Sequence, residues 1–400
     1  MHAVLSRAPV RPPPPRAVER ADLPFLSYDT PLGPLHVRTV HLTAAHRTGR
    51  APILPARDAS SALLSLLALD PSLAACATRG ALYLDTETTG LNGGTGTIAF
   101  LVGLAFWSQA TDTSEGELIV EQLLVRNLGE EAPMLARLAE RLEAASMVVT
   151  FNGKSFDLPL LRTRFVMARK AWPAEKPHLD LVHVARRLHK ARGIECRLTT
   201  IEREVLGFER VDDVPGGEVS AFYLHFLRSG DARALLGVIE HNAWDVVAMV
   251  ALVALYGEPL EASALAPEDL VGVARTLARA GETDQAFEVA SRAVLSGYRA
   301  RKHALRARAD ISKARGDRAR AMADFELLAA TVDDPTVRLE LAKLYEHHVK
   351  SPDQALAMLQ QGTGELPEHA SKRHRRLTTK IERASRGQRT LFGETTKRRR

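Results

Sequence analysis

"LDTETTG", residues 84–90, closes the apolar run "ALYL" (81–84) with two carboxylates two positions apart, Asp85 and Glu87. The run reads as a buried strand. In a strand, residues i and i+2 project to the same side, so both acids can point at one spot at its C-terminal edge. Burying an ionised carboxylate without a partner costs far more than one side chain's packing returns. Either the acids are solvated at a turn, or a cation lies between them. A lone D-x-E pair is adequately explained by the first alternative, so the decision depends on the rest of the chain. Thr88, Thr89 and Gly90 then turn the backbone sharply.

Around this strand the pattern is strand, strand, strand, helix, strand, helix. "TIAFLVGLAFW" (97–107) follows the Gly-rich turn "LNGGTG", and "ELIVEQLLV" (117–125) follows a Thr/Ser/Glu/Gly turn. Leu135, Leu138 and Leu142 at helical spacing precede the strand "MVVTF" (147–151). Residues 156–255 read as almost wholly helical. Strands followed by alternating helices predict an α/β sheet domain over 77–257. Before it, residues 1–22 read as a disordered Pro/Arg-rich leader, and 23–76 as a small hairpin, turning at Pro-Leu-Gly-Pro, with a connecting segment.

After residue 257 the texture changes to Ala-, Leu- and Arg-rich helices with an internal period. Ala286, Ala321 and Ala355 are spaced 35 and 34 apart, with Gly281 and Gly316 five residues before the first two. Ala274 and Ala309 lie twelve before them, where small residues let paired helices approach. The third unit departs, with Lys350 in place of the turn Gly and one residue more. A helix–turn–helix period of this length resembles tetratricopeptide repeats over 264–363; a plain helical bundle is the alternative. Either makes the segment a docking or packing module for a protein partner, without chemistry of its own.

The chain has 400 residues, 45% hydrophobic and 26% charged, which fits a soluble multidomain protein. Its longest apolar runs, 98–107 and 246–255, are ten residues each, short of a membrane span. The N-terminus lacks the apolar segment of a secretory signal. Cys76 and Cys196 are too few and too far apart for a disulfide framework, and no Cys/His spacing reads as a zinc site. A cytoplasmic, nucleoid-associated protein is expected. Residues 371–400 hold twelve Lys/Arg against Glu382 and Glu394, so the formal charge of +6 resolves into +10 there and −4 elsewhere. This predicts a basic disordered tail, read either as a polyanion-binding arm or as a solvated terminus.

Two further stretches decide how the acids at 85 and 87 are read. "TFNGKSFDLPLL" (150–161) leaves a strand, turns at Asn152-Gly153 and places Asp157 in the first turn of a helix. "IEHNAWDVVAMVALV" (239–253) is a long helix in which His241 and Asp245, i and i+4, share one face at the edge of an apolar run. Each could be a helix cap or a surface pair. Together, at element ends suited to converge, they point to an oxygen-rich site for Mg²⁺ or Mn²⁺.

These three motifs resemble those of the DnaQ-like (DEDD) exonucleases, a superfamily with an RNase H-like fold: a mixed sheet with flanking helices. More narrowly, "LDTETTGLNGGTGTIAFLVGLAF", "HNAWDV" and the appended repeats resemble the YprB-like family, implicated in bacterial DNA repair. The resemblance covers about 77–363. It implies a 3′→5′ exonuclease acting on DNA, with RNA as an alternative substrate and an inactive scaffold as another. Asp85, Glu87, Asp157 and Asp245 would hold two Mg²⁺ or Mn²⁺ ions about 4 Å apart, and His241 would act as general base. His-type members commonly have four residues between that His and Asp; here there are three. Thr88, Gly90 and Leu91 would line the terminal nucleotide, with Asn152 and Lys154 near a phosphate. Asp180 is expected to cap its helix, and His178, His183 and His189 to be non-ligands. In the tail, Gln388, Leu391 and Phe392 ("QRTLF") resemble the short peptide by which bacterial proteins dock on the replicative sliding clamp.

Overall fold

The computed structural model describes residues 23–90, 95–108, 116–296 and 299–395. Among the described residues nine strands form: β1 (Leu26–Thr30), β2 (Gly33–Leu42), β3 (Arg47–Thr48), β4 (Ala51–Pro52), β5 (Ala81–Thr88), β6 (Ala99–Trp107), β7 (Leu118–Leu124), β8 (Met147–Thr150) and β9 (His178–Asp180). All but the ribbon β3–β4 join one sheet, in the order β1-β2-β7-β6-β5-β8-β9. β5 pairs antiparallel with β6 and parallel with β8, and β8 pairs parallel with β9. The sheet is therefore mixed, as expected.

Among the described residues seven α-helices belong to this part of the chain: α1 (Ser61–Ala68), α2 (Glu131–Ala144), α3 (Asp157–Met167), α4 (Leu181–Leu188), α5 (Leu198–Ile201), α6 (Val219–Ser229) and α7 (Arg233–Tyr256). α2 buries Leu135, Leu138 and Leu142 against Leu82, Leu84 and Leu104 of the sheet. On the other face α7 packs its apolar run 246–256 against Tyr83, Ala105 and Val149. By length and composition Leu235–Tyr256 could cross a membrane, but 72% of its most apolar window is buried inside the protein. Its apolarity is that of a core helix.

Two expectations are revised. The hairpin β1–β2 is no separate unit, because β2 pairs with β7 along Leu42↔Leu118 to His36↔Leu124 and extends the main sheet. The region 156–255 also contains a strand, β9, too short at three residues to show a period.

Beyond α7 come α8 (Pro267–Ala280), α9 (Thr283–Ser296), α10 (Arg301–Ala314), α11 (Arg318–Ala329), α12 (Pro335–Leu344), α13 (Pro352–Gln360) and α14 (Pro367–Thr395). α8 with α9, α10 with α11, and α12 with α13 pack as three helix pairs, whose first helices begin 34 residues apart at each step. Ala274, Ala286, Ala309, Ala321 and Ala355 are all fully buried. Lys350 takes the left-handed conformation (φ 62°) that Gly281 and Gly316 take in the first two pairs. The extra residue of the third unit is absorbed in a π-type turn at Tyr345–Val349, the usual way a helix accommodates one insertion.

The helix pairs share a core with the sheet domain. Leu270, Val273 and Leu277 of α8 pack with Leu67 of α1 and Leu188 of α4. A methyl group on Gly272 would overlap the backbone of Leu188, so α8 sits that close only because the position is glycine. Across the same junction, buried His189 bonds Asp269 and Tyr256, at 2.8 Å each.

The expected disordered tail is a helix through Thr395. Its cations have a partner that composition could not reveal: buried Glu346 accepts from Arg376, Arg373 and Lys380, and Leu377 is fully buried beside them. The side chains of Gln388, Leu391 and Phe392 lie outside the described residues, as do the leader 1–22 and Leu91.

Candidate active site

β5 carries Asp85 and Glu87 to the C-terminal edge of the sheet beside α7. A register shift against β6 falls at Glu87/Thr88, just before the strand ends at Thr88 and the chain turns. Thr86, on the alternate side of the strand, donates from Oγ1 to Asp157 Oδ1 (2.5 Å), fixing the first residue of α3 against β5. On α7, His241 Nε2 and Asp245 Oδ2 are 3.6 Å apart, as their i,i+4 spacing requires. One donor atom each from Glu87, His241 and Asp245 lie within 4.8 Å of one another.

The electrostatics are those of carboxylates short of positive charge. Burial, reinforced by Asp245, Asp157 and Glu87, pushes the Asp85 carboxyl well above its usual range. Burial and then Asp245 push Glu87 up to about 8, and burial pushes Asp157 up to about 6. A divalent cation relieves all of these at once, and oxygen donors are what Mg²⁺ or Mn²⁺ takes. The donor set fits such an ion.

Five side chains that the sequence did not single out complete the site: Asn242, Gln122, Arg210, Glu202 and Asp213. Asn242 donates from Nδ2 to Asp85 Oδ2 (2.9 Å), while its Oδ1 accepts from Gln122 Nε2 (2.9 Å). It reaches Asp85 because the facing residue of β6 is Gly103, where a methyl group would overlap the Asn242 carboxamide. Arg210 forks between buried Glu202, 2.7 Å from two of its nitrogens, and Asp245. Asp213 Oδ1 lies 2.6 Å from His241 Nδ1. Arg210 Nη1, which can only donate, lies 3.2 Å from the same nitrogen. The Asp213 contact is the shorter, and a carboxylate can only accept, so it favours the proton on Nδ1 and leaves Nε2 to receive one. Burial pulls the His241 pKa down, but Asp245, Glu87 and Asp213 outweigh it, and the imidazole lies above its ordinary value.

Beside the acids opens a cleft of about 450 Å³, lined by Asp85, Thr88, Gly90, Asn152, Phe156 and Asp157 among others. Asn152 adopts φ 72° at the turn after β8. Asp180 caps α4 through Val182 N and also accepts from the backbone N–H groups of Asn152 and Lys154, holding this turn in place. The ammonium of Lys154 is not part of the lining; it lies 3.8 Å from Asp70. Phe156 is 55% exposed at the cleft, a large apolar surface left open to solvent. His178 bonds Thr150 and His189 bonds Asp269, so neither belongs to the acid cluster.

A mixed sheet with acids at the edge of a central strand and a third carboxylate on the helix packed across it defines an RNase H-like domain, a class of nuclease. The model of the RNase_H superfamily matches residues 82–256. The chain is also 30% identical over 312 residues to the uncharacterized protein YprB of Bacillus subtilis (strain 168), covering 76% of this chain and 74% of that protein. The chain belongs to the YprB family within the RNase H superfamily.

Proposed function

We propose that this protein is a divalent-metal-dependent 3′→5′ exonuclease that hydrolyses phosphodiester bonds at DNA ends in the bacterial cytoplasm, in the service of repair. The observation that carries the reading is the convergence of Glu87, His241 and Asp245 within 4.8 Å, beside Asp85 and Asp157. Asp85, Glu87, Asp157 and Asp245 would hold Mg²⁺ or Mn²⁺, which supplies electrophilic stabilisation of the attacking and leaving oxygens. His241, its Nδ1–H directed at Asp213, takes the proton of the attacking water at Nε2. Asn242 orients the Asp85 carboxylate through the Gln122 relay. The cleft between Thr88, Gly90 and Asn152 takes the terminal nucleotide, and Phe156 offers a face on which its base can stack. The polarity and the choice of DNA follow from the DnaQ-like resemblance.

The test is a digestion panel: labelled single-stranded DNA, duplex, nicked duplex and RNA, each with Mg²⁺ and with Mn²⁺. The wild-type chain should release mononucleotides from DNA 3′ ends, and Asp85→Ala and Asp245→Ala should not, while keeping the wild-type circular dichroism. Cleavage of RNA alone would replace DNA as the substrate. Full activity in Asp85→Ala would refute the site. A protein that neither digests any substrate nor gains thermal stability with Mn²⁺ would be an inactive scaffold.

A further inference from the structure

We propose that the outer face of α14 is a docking surface for the phosphate backbone of DNA, outside the nuclease site. The inference rests on the nuclease reading only for its choice of polyanion. Two sets of cations lie on this helix. Arg373, Arg376 and Lys380 turn inward to Glu346, whose side chain is wholly buried, at 3.3, 2.6 and 2.7 Å. They fasten the helix to the last helix pair. Lys372, Arg375 and Arg383 turn outward; all three are exposed and none has an ion pair among the described residues.

At 100° per residue these three outer cations fall within one narrow stripe, with Thr379 between them. At about 1.5 Å rise per residue the stripe runs roughly 16 Å, the length of about five nucleotides of one duplex strand at 3.4 Å each. Alongside it, between α14 and the loop Gly362–Glu365, lies a groove of about 750 Å³ lined by Ser371, His374, Arg375 and Thr379. Glu365, which Arg373 neutralises, and Glu382 line it too, so the phosphates are placed on the stripe and not in the groove.

Charge selects the occupant. Outside 371–400 the chain is net negative, whereas 371–386 carry seven Lys/Arg against Glu382, so this helix is the more attractive surface for a polyanion. Leu377 is buried, and no large apolar side chain of 371–386 is exposed. A helix that enters a lipid surface needs such an apolar face. The fastening by Glu346 also makes the stripe rigid, so binding costs less ordering than it would for a mobile tail.

The experiment is fluorescence anisotropy of a labelled 20-base-pair duplex with the full chain, in EDTA, from 50 to 200 mM salt. Each phosphate contact contributes about 0.9 to the slope of log affinity against log salt. The triple variant Lys372→Ala/Arg375→Ala/Arg383→Ala should lower the slope by about 2.7 and bind at least roughly tenfold more weakly at 100 mM salt. A control removing equal charge from another exposed site, Arg299→Ala/Arg301→Ala/Lys302→Ala, should bind as wild type. An unchanged slope and affinity in the first variant, or an equal loss in the control, overturns the proposal. Unchanged DNA binding with loss of adsorption to phosphatidylglycerol vesicles also overturns it, in favour of a membrane surface. No divalent metal is present, so this result and the digestion panel fail independently of each other.

Discussion

Asp213 lies 2.6 Å from Nδ1 of His241, a residue 28 positions away on a different element. The contact fixes the imidazole tautomer and raises its pKa, so it bears on both the position and the basicity of Nε2. Asp213→Ala should lower kcat/KM by roughly tenfold to a hundredfold, part of the 10²–10⁴ a general base supplies. Without the carboxylate the His241 pKa falls, so the acidic limb of the pH–rate profile should move to lower pH. A merely structural role would leave that limb in place. Asp213 is partly exposed, and the melting temperature should change little.

Glu87 links the site to stability through protons. Its folded pKa, about 8, exceeds the ordinary 4.5, so its protonated form favours the folded state. That stability is fully present below about pH 4.5 and is lost as pH rises through about 8. The metal-free protein should therefore lose stability across this window, and Glu87→Gln should lose less. Conversely, Mn²⁺ must displace the proton, so its binding to wild type should tighten as pH rises over the same range. Thermal melts in EDTA and in Mn²⁺ from pH 5 to 8 read both effects. Identical pH dependence in wild type and Glu87→Gln would refute the coupling.

The reach of sequence reasoning follows from the range of the interactions concerned. Asp85 with Glu87, and His241 with Asp245, were legible because their spacings match the strand and helix periods. Leu135, Leu138 and Leu142 were legible for the same reason. Arg210 and Asp213 sit in an irregular stretch between α5 and α6, where no period marks a residue, and they acquire roles only when α7 packs across it. Asn242 was hidden differently: it matters because position 103, 139 residues earlier, is glycine. α14 is fastened by Glu346, in the last helix pair. A composition of twelve cations in thirty residues favours disorder until that buried acid is placed among them.

Phe156 is more than half exposed at the cleft while Phe151, from the same turn, packs against the core. Stacking on an aromatic face contributes about 1–3 kcal/mol per base. Phe156→Ala should therefore raise KM for a 3′ end roughly fivefold to a hundredfold, with kcat much less affected, because the ring touches no reacting atom. Folding stability should be within about 0.5 kcal/mol of wild type, as for other exposed positions. An unaltered KM would show that the terminal base lies elsewhere.

Among the described residues Arg210 is the one arginine bonded within the acid cluster, and its loss separates stability from catalysis. Its side chain is 5% exposed, and its guanidinium is held between fully buried Glu202 and Asp245. Burial already pushes the Glu202 carboxyl up to about 7 despite this partner. Removing one member of a buried pair leaves an uncompensated charge and costs about 3–5 kcal/mol. Arg210→Met should thus lower the melting temperature by roughly 10 °C, at about 2–4 °C per kcal/mol for a domain of this size. Neutralising the orphaned acid in the double variant Arg210→Met/Glu202→Gln should recover much of the loss. Asp245 would keep its i,i+4 contact with His241 but lose the group that holds Oδ1, so the double variant should fold well yet require more Mn²⁺ for half-maximal stabilisation. If the single variant melts as wild type does, the buried pair does not carry the stability assigned to it.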